Sequence, residues 1–226
     1  MTDLDLLSTV PIFSDLTASA LEEVLSTMSK RTFRKQNMIL MEDEFGDTFF
    51  IITRGSVKIT RVSEDGREVI LAILGEGEFF GEMSLLDGET RSANVIALED
   101  SEALILKRHD FLAILEKYPK IAIALLTELA TRIRKSNVQI ESLSLSDAEH
   151  RIGITLLRLA EELGTIRKGV VHINNLPYQQ DIANMAGTSR ETVSRMMKLL
   201  EEKGMIELRG HSLSIPDYTQ FRRTFG

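Results

Sequence analysis

The apolar residues of this chain change their period twice, and that change limits the fold more than any single motif. From Thr32 to Leu106 they come in short runs punctuated by Gly46, Gly55, Gly66, Gly75, Gly77, Gly81 and Gly88. On either side they return every three or four residues, as on one face of a helix. Runs such as Thr48-Phe49-Phe50-Ile51-Ile52, Val57-Lys58-Ile59-Thr60 and Val69–Leu74, set between glycine turns, predict an antiparallel barrel or jelly roll, with an open sandwich as the alternative. Residues 5–31 predict a helical region that Thr17 or Ser19 can cap, and residues 147–163 a helix that Asp147 can cap. Residues 109–145 are also helical in period. Ala122, Leu126, Leu129, Ile133, Ser136, Ile140 and Leu143 fall there at alternating four- and three-residue steps, the spacing of a coiled-coil seam. A homodimer joined through residues 118–143 is therefore expected.

The segment Leu176–Arg195 reads as two short helices around a tight turn. Ile182, Met185 and Ala186 give the first an apolar face, Gly187 permits the turn, and Thr188 or Ser189 can cap the second. The second helix opens with Arg190 and Glu191 and carries Arg195 further along, groups suited to base edges in a major groove. Beyond it, Met205–Leu208, Gly210 and Leu213–Ile215 read as a small hairpin, hence a wing. The predicted fold class is α+β: an N-terminal antiparallel β-roll (jelly roll) over residues 1–116, a dimerisation helix and hinge over 117–146, and a winged helix-turn-helix over 147–226.

Charge supports a nucleic-acid task for the C-terminal part alone. The chain carries a net charge of -7, with -8 in residues 1–146 and +1 in residues 147–226. A near-neutral C-terminal third can present a local basic face to DNA while the acidic remainder points away. With no cysteine, disulfides, thiol catalysis, cysteine-ligated zinc and iron–sulfur clusters are excluded. The acidic start, Thr2-Asp3-Leu4-Asp5, has no signal-peptide pattern, and no apolar run approaches the ~20 residues that span a bilayer. A cytoplasmic location without membrane contact is the expectation.

The second strong signal is Gly77-Glu78-Phe79-Phe80-Gly81-Glu82-Met83-Ser84-Leu85-Leu86-Asp87-Gly88-Glu89-Thr90-Arg91-Ser92-Ala93. Glycines let backbone approach a ligand, exposed N–H groups can cradle a phosphate, and the Arg91 fork suits phosphate oxygens. The segment resembles the phosphate-binding cassette of cyclic-nucleotide-binding domains. The order of β-roll, long helix and winged helix-turn-helix resembles the bacterial CRP/FNR family of transcription regulators over residues 8 to 216. That resemblance implies a cyclic-nucleotide site in which Gly81 and Glu82 contact the ribose, with Met83 and Ser84 beside them. Arg91 and Ser92 would hold the cyclic phosphate, and Ser136 and Asn137 would read the base. The implied effector is cAMP; cGMP, a cyclic dinucleotide or no effector are the alternatives, because Asn137 stands where the cAMP-responsive members have a hydroxyl residue. It further implies double-stranded DNA at a palindromic site, and RNA polymerase, as partners. Arg190 and Arg195 would read guanines and Glu191 a cytosine. Ser189 and Thr192 would touch phosphate or cap the helix, and Lys198 and Arg209 would add salt-sensitive affinity without specificity.

An enzyme is not expected. His109, His150, His172 and His211 are the only histidines, only His109 falls near the roll, and neither a nucleophile elbow nor a Walker sequence occurs. Two other readings remain beside the allosteric regulator: an effector-independent DNA binder with a degenerate pocket, and a cyclic-nucleotide or cyclic-dinucleotide receptor that acts through protein contacts.

Overall fold

The computed structural model describes residues 2–167 and 169–226. The chain divides into two compact units, the first comprising residues up to Arg61 and Leu71–Lys135, the second Val62–Ile70 and Ser136–Gly226.

The first unit opens with α1 (Asp3–Thr9) and α2 (Ala18–Ser26). Thr2 and Asp5 form a reciprocal capping box on α1, and Thr17 caps α2 by accepting from the Ala20 N–H at 3.3 Å. The expected helical region 5–31 is therefore two helices, not one. Val10-Pro11 interrupts it, since the residue before a proline is held extended, and Ser29 already belongs to a strand.

The strands are β1 (Ser29–Phe33), β2 (Met38–Leu40), β3 (Thr48–Arg54), β4 (Val57–Val62), β5 (Glu68–Leu74) and β6 (Phe79–Phe80); after the short α3 (Met83–Asp87) come β7 (Asn94–Ala97) and β8 (Ser101–Lys107). They form two four-stranded sheets ordered β1-β8-β3-β6 and β2-β7-β4-β5. β3 is buried on both faces. Phe49 and Ile51 join the core shared with α1, α2, α4 (Arg108–Lys117) and α5 (Pro119–Leu145), whereas Phe50 and Ile52 face the core with Val57, Phe80 and Val95. The two sides are marked by ring stacks, Phe49 on Phe111 at 4.9 Å and Phe50 on Phe80 at 4.8 Å.

The second unit packs α6 (Ala148–Leu163), α7 (Gln179–Ala186), α8 (Arg190–Glu202) and α9 (Tyr218–Phe225) with β9 (Thr165–Arg167), β10 (Val170–Ile173), β11 (Glu207–Arg209) and β12 (Ser212–Ile215). The expected wing is part of a larger sheet, ordered β11-β12-β10-β9. Asp147 caps α6, accepting from the His150 N–H at 2.7 Å. Gly153 makes room for α9: a Cβ there would lie 2.1 Å from the Phe225 ring.

The expected coiled-coil seam needs correction. Ile121 and Leu125 are buried, and Leu129, one turn on, packs against the same N-terminal core, so Leu129 is inward and cannot also lie on a solvent seam. Among the described residues the exposed large apolar side chains of α5 are Ile123, Leu126, Ile133, Val138, Ile140 and Leu143, and the four most exposed of them are Ile123, Leu126, Ile133 and Ile140. With Ala130 and Asn137 between them they restore alternating three- and four-residue steps, displaced by one residue on one of its two columns. The stripe thus runs through Asn137 rather than Ser136. Leu129→Asp should destabilise the first unit by at least about 2 kcal/mol, seen as a lower Tm. Ile133→Asp should leave Tm nearly unchanged and convert a sedimenting dimer to monomer.

Candidate functional site

The cassette is built around the Arg91 side chain, which is only 4% exposed. Its Nη1 donates to the Gly81 carbonyl at 2.8 Å and the Ser84 hydroxyl at 2.7 Å. Nη2 donates to the carbonyl and hydroxyl oxygens of Thr48 at 2.8 and 3.1 Å. Nε is buried and has no hydrogen-bond partner among the described residues. Burial draws the guanidinium pKa below its ordinary value, and Asp47 and Glu82 pull it back up; the group stays charged.

Two glycines make this approach possible. Gly81 has φ of 85°, and a Cβ on it would stand 2.9 Å from the Thr48 carbonyl oxygen. A Cβ on Gly46 would come within 1.9 Å of Arg91 Nε. Gly46 and Thr48 were not among the residues expected from sequence. Their signal is weak, because a glycine before a strand reads as an ordinary turn.

Glu82 is 3% exposed and accepts from Arg132 Nη1 at 3.1 Å. Burial pushes its carboxyl above the usual carboxylate range, opposed by Arg132 and Arg91. Arg132 also donates to the Phe79 carbonyl at 2.8 Å, and its guanidinium lies 4.5 Å from the Phe79 ring centroid. Sequence reasoning missed Arg132, although it stands one helical turn before Ser136. Ser84 is buried; Met83 is half exposed, with the exposed Ser92 hydroxyl 3.6 Å from its sulfur. Ser136 and Asn137 are exposed on α5, in the residues assigned to the second unit.

In the second unit α7 ends at Gly187, whose φ of 60° is left-handed. Arg151 fixes the turn through three carbonyls: Nε to Ala186 at 2.8 Å, Nη2 to Gly187 at 3.1 Å and Nη1 to Ser146 at 2.8 Å. Ser189 caps α8, accepting from the Thr192 N–H at 3.2 Å. Val193, Met196, Met197 and Leu200 form the buried stripe of α8, which leaves Arg190, Glu191, Arg195 and Lys198 exposed and Thr192 half-buried. Backbone and Ser189 hydrogen bonds hold the Glu191 carboxyl below the ordinary range, so it is an acceptor. Arg195 pairs with Glu149 at 3.7 Å, Lys198 with Glu202 at 3.9 Å and the exposed Arg209 with Glu207 at 3.4 Å. Arg190 lines a groove of about 670 Å³ with Tyr178, Gln180, Leu208 and His211.

Residues 30–118 match the cyclic nucleotide-binding domain family and residues 150–224 the Crp-like helix-turn-helix domain family. The chain is 36% identical over 198 residues to the cyclic AMP receptor protein of Thermus thermophilus, covering 88% of each chain. It is 31% identical to the CRP-like cAMP-activated global transcriptional regulator of Mycobacterium tuberculosis, covering 97% of this chain and 98% of that one. The solved structure of FixK2 from Bradyrhizobium japonicum shares the fold, with a TM-score of 0.79 at 22% identity over 88% of this chain and 98% of that one. Two domain families in this order, with relatives above 30% identity along most of the chain, establish that it belongs to the CRP/FNR family of transcription regulators, non-catalytic DNA-binding proteins that act through an effector-binding domain.

Proposed function

We propose that the protein is a cyclic-nucleotide-responsive homodimer that binds a palindromic DNA site with effector-dependent affinity, in the cytoplasm and with RNA polymerase as its partner at promoters. The observation that carries the effector reading is Arg91, a buried charge whose Nε faces no acceptor among the described residues, beside two glycines that keep the backbone close. A phosphate oxygen would complete that donor, so these residues fit a cyclic phosphate. In this reading Ser92 joins Arg91 on the phosphate and Glu82 takes the ribose hydroxyl with Gly81 beside it. Met83 and Ser84 line the turn, and Ser136 and Asn137 meet the base. The names of the two relatives make cAMP the first candidate. No helix among the described residues is long and apolar enough to cross a membrane.

A second reading, effector-independent DNA binding, draws on the same arginine. Both Nη atoms already donate to Gly81, Ser84 and Thr48, which is how a site without a ligand would hold its charge. Calorimetry with cAMP, cGMP and a cyclic dinucleotide separates the two. Heat is expected with cAMP. Arg91→Leu should weaken binding about 10- to 100-fold, more than Ser136→Ala, as expected for a charge-assisted contact. No heat from any of the three, with folded protein, favours the second reading. An unchanged DNA dissociation constant when ligand is bound, at fixed salt, would refute allosteric coupling.

On DNA, Arg190 and Arg195 are proposed to read guanines and Glu191 a cytosine amino group. Ser189, Thr192, Lys198 and Arg209 would hold phosphates, with half-site centres about 34 Å apart. Binding-site selection with Arg190→Ala should relax one position symmetrically in both half-sites, a loss of about 1–3 kcal/mol of discrimination. A uniform loss of affinity with unchanged sequence preference would make Arg190 a phosphate contact instead.

A further inference from the structure

We infer that Glu149 is a positioning residue for base recognition: it holds the Arg195 guanidinium in the orientation that reads DNA. The inference rests on the reading of Arg195 as a base contact. Lys198 and Arg209 meet carboxylates of their own elements, Glu202 on α8 and Glu207 on β11. Arg195 differs, because its carboxylate comes from another helix. Its Nη2 lies 3.7 Å from Oε1 of Glu149, in the first turn of α6.

That first turn is a rigid platform. Asp147 caps it, and Arg151, two residues beyond Glu149, ties it to the carbonyls of Ser146, Ala186 and Gly187 at the turn that leads into α8. Glu149 is thus presented to Arg195 from backbone fixed relative to the recognition helix. An acidic residue in a first turn also favours its own helix end, but that role asks for no partner on α8. Side-chain exposures of 50% for Glu149 and 70% for Arg195 leave both at the surface, where DNA would lie.

The contact engages one nitrogen of a fork that carries five N–H donors, so other donors can still meet a base edge. A free arginine side chain loses rotamer freedom on binding and can turn to the nearest phosphate instead. The Glu149 carboxylate biases it against both: part of the ordering is done before DNA arrives, and turning to a phosphate means giving up the ion pair. The carboxylate also repels every phosphate equally, whatever the sequence. That repulsion cancels between two sites; the positioning alone lowers affinity for wrong sites relative to the right one, which is discrimination rather than strength.

The test is a double-mutant cycle on the full chain, measured by fluorescence anisotropy at one salt concentration. The probes are a selected site and the same site altered at the base pair that Arg195→Ala relaxes. Glu149→Gln is expected to reduce the affinity ratio between the two probes about two- to five-fold, the range of an exposed ion pair. In the Arg195→Ala background it is expected to leave that ratio unchanged. Equal tightening on both probes would mean that Glu149 acts only as a charge, and the inference falls. A change of the ratio that persists without Arg195 overturns it as well. If Arg195→Ala relaxes no base pair, the base-contact reading of Arg195 fails first, and Glu149 has nothing to position.

Discussion

A full positive charge buried at Arg91 has to be balanced, and the way this fold balances it organises the cassette. Ionised groups are almost never fully buried without partners, because taking them out of water is expensive. Among the described residues no carboxylate forms a direct ion pair with the guanidinium. Carbonyl dipoles of Gly81 and Thr48 and hydroxyls of Ser84 and Thr48 surround it, while the nearest buried carboxylate, Glu82, is turned to Arg132. Neutral acceptors leave the net charge in place. A site of this kind fits the phosphate proposed for it, and the Nε without a partner among the described residues would give that contact a direction. Gly46 and Gly81 follow from the same constraint, since any side chain at either would occupy the guanidinium's space or that of the Thr48 carbonyl.

Helix α5 carries a second constraint, because neighbouring residues of one helix serve different ends. Ile121, Leu125 and Leu129 complete the N-terminal core, and Arg132 continues that face to reach Glu82 and Phe79. Ile123, Leu126, Ile133 and Ile140 form the exposed stripe. Further along, Leu143 lies against the helix-turn-helix turn, where a Cβ on Gly187 would come 2.9 Å from its methyl. A change in the cassette that moved Arg132 would therefore act on the helix that also bears the apolar stripe.

The strands between glycine turns, the helix-turn-helix and the caps by Thr17, Asp147 and Ser189 were legible in the sequence, because each rests on local chemistry: turn residues, side-chain oxygens and hydrophobic period. Leu129 was misread because apolar residues at helical spacing satisfy a coiled-coil seam and an inward face almost equally well; only the packed β-roll decides between them. α9 was missed because its anchor is Phe221 and Phe225 alone, and the room for Phe225 is provided by the absent side chain of Gly153 on a distant helix. β9 and β10 are short and gain their sheet through β12. Within the site, Arg91 and Glu82 stood out by motif, whereas Arg132 and Thr48 enter only through tertiary contact.

If Arg91 binds the phosphate proposed for it, its own Nε–H reports the contact in heteronuclear NMR of arginine side chains. The Arg91 Nε–H resonance is assigned by its loss in Arg91→Lys and followed during titration with cAMP. This resonance is expected to shift, and its hydrogen exchange to slow, as the nucleotide saturates the protein. A resonance that stays in place, with unchanged exchange, while the nucleotide binds would contradict that contact.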